Sequence, residues 1–221
     1  MNRLLTLVLV VCLFALSACT TGFKQRNILV IGDSNGEREG WVFHLQKIRG
    51  GGPLVNTSLS GNTIGFNYDG NRSMNTLENL TTYLRKGYAE MGGIDEILIA
   101  LGTNDCKSRF AADHGKINEN LTELISRSTA FFTERGQDVP RFVLFTPPPM
   151  DDTRIEEFNG GEACLTDLSA AIRTYAGTNG HCLVDLQQKP GRSLLEHSKD
   201  GVHFNAEGYS KWAAAIVDAC Y

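Results

Sequence analysis

Residues 28–34 read Ile28-Leu29-Val30-Ile31-Gly32-Asp33-Ser34. Four consecutive aliphatic residues predict a strand buried on both faces, because a half-exposed strand would alternate polar and apolar side chains. Such strands belong to parallel sheets covered by helices. The same alternation repeats along the chain. Trp41, Leu45 and Ile48 recur at helical spacing, and Gly50-Gly51-Gly52 stops that helix. Leu54 to Leu59 reads as a second strand, and Leu77, Leu80 and Leu84 mark a second helix. Glu96 to Leu101 is the clearest strand. A long amphipathic helix follows, on Ile117, Leu121, Leu124, Ile125, Phe131 and Phe132. Phe142 to Phe145 is a fourth strand, closed by Pro147-Pro148-Pro149. Leu165, Leu168, Ala171, Ile172 and Tyr175 form a helical stripe, Cys182 to Leu186 a fifth strand, and Trp212, Ala215, Ile216 and Ala219 a last helix. Five strands separated by helices predict one α/β domain with a parallel five-stranded sheet, for which a flavodoxin-like order is expected by analogy.

Composition supports one folded domain. Of the 221 residues, 42% are hydrophobic and 21% charged, enough to bury a sizeable core and too apolar for long disorder. The formal net charge of −4 supplies no basic excess, so nucleic acid is not expected as a partner.

The first residues read as a targeting segment. Arg3 provides a positive start, and Leu4 to Leu16 an apolar run shorter than the roughly 20 residues a transmembrane helix needs. Leu16-Ser17-Ala18-Cys19 resembles the lipobox of bacterial lipoproteins. That resemblance implies cleavage after residue 18 and a lipid on Cys19, with an ordinary signal peptide as the alternative. Thr20 follows in place of an inner-membrane-retaining Asp, which points to the outer membrane if the source is Gram-negative. Removing residues 1–18, and with them Arg3, takes the net charge from −4 to −5. Thr20 to Arg26 reads as a polar tether reaching roughly 25 Å at most, with the domain spanning 27–221. Four cysteines outside the signal, Cys106, Cys164, Cys182 and Cys220, suit an oxidising compartment. They allow three connectivities; Cys106–Cys164 with Cys182–Cys220 is the one expected.

Open parallel sheets place their ligands beyond the carboxyl ends of the strands. Those ends carry Gly32-Asp33-Ser34-Asn35, Ser60-Gly61-Asn62 and Gly102-Thr103-Asn104-Asp105, and a late loop carries Asp200-Gly201-Val202-His203. A serine hydroxyl is a weak nucleophile without a base in hydrogen-bond reach. Histidine suits that task, and it needs an acceptor to hold its tautomer. Asp200 and His203, three residues apart, can be presented by one tight loop. The backbone N–H groups of Ser34 and Gly61 and the Asn104 amide are candidate oxyanion donors.

In this order the four segments resemble the SGNH (GDSL-type) hydrolases. Gly32-Asp33-Ser34 matches the family's first block, Gly61 the second, Gly102-Thr103-Asn104-Asp105 the G-x-N-D block, and Asp200 with His203 the final D-x-x-H. The resemblance spans Ile28 to His203 and departs from the usual GDSL at Asn35. It implies a flavodoxin-like three-layer α/β/α sandwich, Ser34 as nucleophile, His203 as base, Asp200 as its partner, and an oxyanion hole of Ser34, Gly61 and Asn104. It also implies no metal and no organic cofactor. The expected activity is ester hydrolysis through an acyl-enzyme, with short acyl groups on a carbohydrate or cell-envelope glycan as substrate. The alternatives are a lysophospholipase or thioesterase, an acyltransferase, and a non-catalytic glycan-binding lipoprotein. A monomer is expected.

Asp33 and Asp105 read as loop supports. His44, His114, His181 and His197 lack partner patterns and read as structural or surface residues. Asn67-Tyr68-Asp69-Gly70 follows the Gly61 block and either lines the site or forms an ordinary surface loop.

Overall fold

The computed structural model describes residues 22–221. The expected signal segment 1–18 and the expected lipidation site Cys19 lie outside the described residues. All five expected strands form: β1 (Ile28–Gly32), β2 (Leu54–Asn56), β3 (Glu96–Ala100), β4 (Arg141–Phe145) and β5 (Cys182–Val184). Every pairing is parallel, in the order β2-β1-β3-β4-β5. This is the flavodoxin-like order. Five longer helices cover the sheet: α1 (Trp41–Ile48), α2 (Thr76–Met91), α3 (Ile117–Thr133), α4 (Gly161–Asn179) and α5 (Ala206–Cys220).

Side-chain alternation along the strands divides the core into two layers. Leu29, Ile31, Ile97, Ile99, Phe142 and Leu144 pack with the apolar stripes of α2, α3 and α4. Ile28, Val30, Leu98, Val143 and Phe145 pack on the other face with α1 and α5. There Trp41 and Trp212 stack at 5.7 Å between ring centroids. Both faces are dry, which is why β1 and β3 read as unbroken apolar runs. Asn75 begins α2 by accepting the Glu78 N–H, and Asn205 begins α5 by accepting the Gly208 N–H.

Two strands are shorter than their apolar runs. β2 ends at Asn56 rather than Leu59. Thr57 still gives both its N–H and its hydroxyl to the Val30 carbonyl, at 2.9 and 2.7 Å, and Leu59 N–H reaches the Gly32 carbonyl at 3.2 Å. The chain therefore follows β1 irregularly and delivers Ser60 and Gly61 to its carboxyl end. β5 ends at Val184 rather than Leu186, because Asp185 turns to a bidentate pair with Arg173 at 2.6 and 3.0 Å.

The disulfides are Cys106–Cys164 and Cys182–Cys220, with Cα separations of 5.5 and 6.0 Å. The expected tether is corrected at its far end. Phe23 is buried and stacks on Tyr221, and the Arg49 guanidinium donates to the carbonyls of Phe23, Lys24 and Arg26 at 2.8–3.0 Å. An aromatic anchor and a buried guanidinium that needs acceptors hold residues 23–26 on the domain. Among the described residues no helix is long and apolar enough to cross a membrane.

Candidate active site

Ser34 opens a single 3-10 turn directly after β1. Asp33, just before it, is buried and accepts the Asn35 N–H at 2.9 Å, which shapes the turn that lifts the serine. Ser34 Oγ lies 2.8 Å from His203 Nε2. His203 Nδ1 lies 2.7 Å from Asp200 Oδ2. The other Asp200 oxygen accepts the N–H groups of Val202 and His203 at 2.9 and 2.8 Å, so one tight loop orients acid and base together. Partial burial opposes charge on Asp200, but those N–H groups and the imidazole outweigh it and hold the carboxyl down at about 2. Asp200 is therefore ionised throughout the neutral range. The three side chains form one continuous relay, and His203 is exposed enough to meet a substrate.

The donors gather beside the serine. Gly61 has φ +79°, and a Cβ there would come within 2.7 Å of Met74 Sδ. Only glycine suits both demands. Among the described residues neither the Ser34 nor the Gly61 N–H is spent on a protein acceptor. Asn104 is buried and gives one hydrogen of its amide to the Asn62 carbonyl at 3.1 Å, leaving the other free. Ser34, Gly61, Asn104 and His203 line one cavity of about 200 Å³, whose far wall is Tyr68, Met74, Lys107, Glu157, Phe158 and Val202. A larger apolar groove between α3 and α4, about 450 Å³, is lined by Leu121, Ala170, Ala171 and Tyr175 and contains none of these groups.

Asp105 is fully buried and takes the Ile64 N–H on both oxygens, at 2.9 and 3.0 Å. It ties the G-x-N-D segment to the loop after Gly61, as expected of a support. Burial pushes its carboxyl up to about 7 against the opposing pull of backbone N–H groups, and the charge of Asp33 adds to the rise. Burial likewise pushes Asp33 up to about 6.

A family model described as the GDSL-like lipase/acylhydrolase family matches residues 20–211. The chain belongs to that family. It is a carboxylic ester hydrolase of the GDSL type. No curated protein sequence matches it significantly. Its fold is shared with solved esterases. A carbohydrate acetylesterase from Sinorhizobium meliloti superposes with a TM-score of 0.73 at 22% identity, over 88% of this chain and 97% of that one. An aryl esterase from M. smegmatis gives 0.71 at 20% identity, over 86% and 96%. A lipase/acylhydrolase from Enterococcus faecalis gives 0.63 at 19%, over 86% and 93%.

In this GDSL hydrolase the five expected site residues all meet at one cavity or its rim. Two contributors, Asn62 and Lys107, escaped sequence reasoning, and the role of a third was left open. Asn62 is fully buried and bridges two segments, its amide reaching the Gly32 carbonyl at 3.0 Å. Lys107, directly after Cys106, is nearly buried and pairs with Glu157 at 3.1 Å on the cavity wall. Tyr68, from the segment whose role was open, lines the cavity. The departure at Asn35 also has a local reason: the buried side chain accepts the Tyr209 hydroxyl of α5 at 3.0 Å.

Proposed function

We propose that this chain removes short acyl groups, acetate foremost, from a carbohydrate or cell-envelope glycan, using Ser34, His203 and Asp200. The observation that carries the reading is the unbroken relay from Ser34 Oγ through His203 to Asp200, opening on a cavity of only about 200 Å³. The space beside Ser34 is smaller than the roughly 300 Å³ at which pockets for drug-sized ligands begin, which suits a small acyl group, while a second cavity of about 330 Å³ shares His203 as a lining residue.

His203 Nε2 takes the Ser34 proton as Oγ bonds to the ester carbonyl carbon. The developing oxyanion is held by the N–H groups of Ser34 and Gly61 and the free hydrogen of Asn104. The intermediate collapses, His203 returns the proton to the departing alcohol oxygen, and an acyl-Ser34 ester remains. Water then attacks that ester with His203 again as base, releasing the acid and restoring the serine. Asp200 stays ionised and steadies the imidazolium in both halves. The lipobox-like Leu16-Ser17-Ala18-Cys19 and the two disulfides support export and a lipid anchor on Cys19, which sets the enzyme in the cell envelope.

The test compares the purified protein with Ser34→Ala on p-nitrophenyl esters of increasing chain length, then on acetylated glycans. The wild type is expected to prefer acetate and the variant to be inactive. A preference for long acyl chains would move the substrate to a lysophospholipid or thioester. Equal turnover by both proteins would remove the serine mechanism.

A further inference from the structure

We propose that the face formed by the amino ends of the strands rests on the lipid bilayer, so that the catalytic cavity opens away from the membrane. The inference rests on the reading of Cys19 as a lipid anchor and states what that anchor does to the site.

The point where the anchor segment joins the domain is fixed. Phe23 is buried against Tyr221, and Arg49 holds the carbonyls of Phe23, Lys24 and Arg26. Arg26 pairs with Glu96, the first residue of β3. The Asn27 carbonyl accepts the Asp95 N–H at 2.8 Å, and the Asp95 carbonyl accepts the Arg141 N–H at 3.0 Å. Residues 23–27 are therefore bound to the starts of β3 and β4 and run straight into β1, at the end of the sheet opposite Ser34.

Length then decides the orientation. Only residues 20–22 separate Cys19 from Phe23, and four peptide steps reach about 14 Å at most. The five residues of β1 alone span about 16 Å, and a domain of this length is roughly 40 Å across. So short a segment cannot lift the amino-end face far enough for the opposite end to turn toward the bilayer.

The same end exposes apolar side chains. Of the four large hydrophobic residues exposed among the described residues, three lie there. Ile48 ends α1 directly before Arg49, Tyr88 stands in the last turn of α2, and Val139 precedes β4. All three sit at helix-to-strand passages, which a parallel sheet gathers at the amino ends of its strands. Single exposed apolar residues need no explanation, but three at the end that receives the anchor add apolar area for the acyl boundary. Exposed Lys47, Lys86 and Arg135 are offset there by exposed Glu90, Glu134 and Asp138, so apolar contact holds the face and no anionic lipid is required. The cavity then stands off the membrane by about the length of the sheet, a height that suits a glycan strand better than an ester at headgroup level.

The test uses the full lipoprotein in phosphatidylcholine vesicles containing spin-labelled phosphatidylcholine. The four cysteines of the domain are paired, so Ile48→Cys, Val139→Cys and Lys199→Cys each add one thiol for a nitrobenzoxadiazole label. Lys199 is exposed and lines a cavity with His203 at the catalytic end. Labels at 48 and 139 are expected to shift to the blue and to lose most of their emission to the quencher. The label at 199 is expected to keep the emission it has in water. Quenching at 199, or at none of the three positions, overturns the proposal. Failure of the anchor reading shows separately: a mature chain without lipid on Cys19 by mass spectrometry, which does not float with the vesicles, removes the proposal together with its premise.

Discussion

The Asn104 side-chain amide donates to the main-chain carbonyl of Asn62 at 3.1 Å, and Asn62 in turn donates its own amide to the Gly32 carbonyl at 3.0 Å. Two hydrogen bonds thus run from the third site segment through the second to the strand end that carries Ser34. They hold in place the Asn104 amide, whose remaining hydrogen is the one proposed for the oxyanion. Asn104→Ala is expected to lower kcat by about 10²–10³-fold with little change in KM, the usual cost of one oxyanion donor. A kcat within twofold of wild type would remove Asn104 from the oxyanion hole. Asn62→Ala acts through its fully buried hydrogen bond and is expected to cost roughly 1–3 kcal/mol of stability, read by denaturant unfolding.

Asp200 accepts four hydrogens at once: those of the Val202 and His203 N–H groups, the Ser198 hydroxyl at 3.3 Å and His203 Nδ1. Asp200→Asn preserves the shape and upsets the tautomer of His203. A loss of about 10³–10⁴-fold in kcat is expected, with an unchanged circular dichroism spectrum. Near-wild-type turnover of p-nitrophenyl acetate would show that His203 is oriented by other means.

Asp33 and Asp105 predict how stability follows pH. Their folded-state values, raised by burial to about 6 and about 7, lie above the unfolded value of 3.8. Between about pH 4 and 7 the folded chain therefore binds more protons than the unfolded chain, and stability from these groups falls as pH rises. Asp200 has the opposite sign. Its folded value of about 2 lies below 3.8, so its contribution is present above pH 4 and fades as pH falls toward 2. Asp105→Asn is expected to flatten the decline between about pH 4 and 7 in urea unfolding. An unaltered slope would mean that Asp105 does not titrate in that window.

The Cys106–Cys164 bridge closes a span of 58 residues and begins two positions after Asn104. Chain-entropy reasoning gives such a crosslink about 4 kcal/mol, with strain and residual structure commonly reducing it to 2–4. The double variant Cys106→Ala, Cys164→Ala is expected to lose about that much stability. It should also lose kcat, because the turn holding Asn104 and Asp105 is released from α4. Full activity at a lowered Tm would show that the bridge serves stability alone.

The strand–helix order and the parallel sheet were legible in the chain itself, and so were the five candidate residues that the fold brings together. Buried strands leave unbroken aliphatic runs such as Ile28–Ile31, and a strand end followed by Gly-Asp-Ser or Gly-Thr-Asn-Asp is a local signal. Asp200 and His203 sit on one loop, so their pairing needs only three residues of sequence. Strand ends were less legible. Apolar residues such as Leu186 remain buried after the ladder has stopped, and the turn at Asp185 depends on Arg173 twelve residues earlier.

What the sequence by itself determined is what short-range pattern encodes: periodicity, turn chemistry, and the kinds of side chain that ester hydrolysis demands. Only the tertiary structure decided which distant groups complete each other. Asn62 looks like any loop asparagine until its neighbours at positions 32 and 104 are known. Phe23 looks like part of a tether until Arg49 supplies three hydrogen bonds to its segment. Tyr68 stands out only because its hydroxyl is enclosed and unpaired, a property of the surrounding atoms. Hydrogen-bond satisfaction and burial are set by packing between segments far apart in the chain, so no local stretch of residues encodes them.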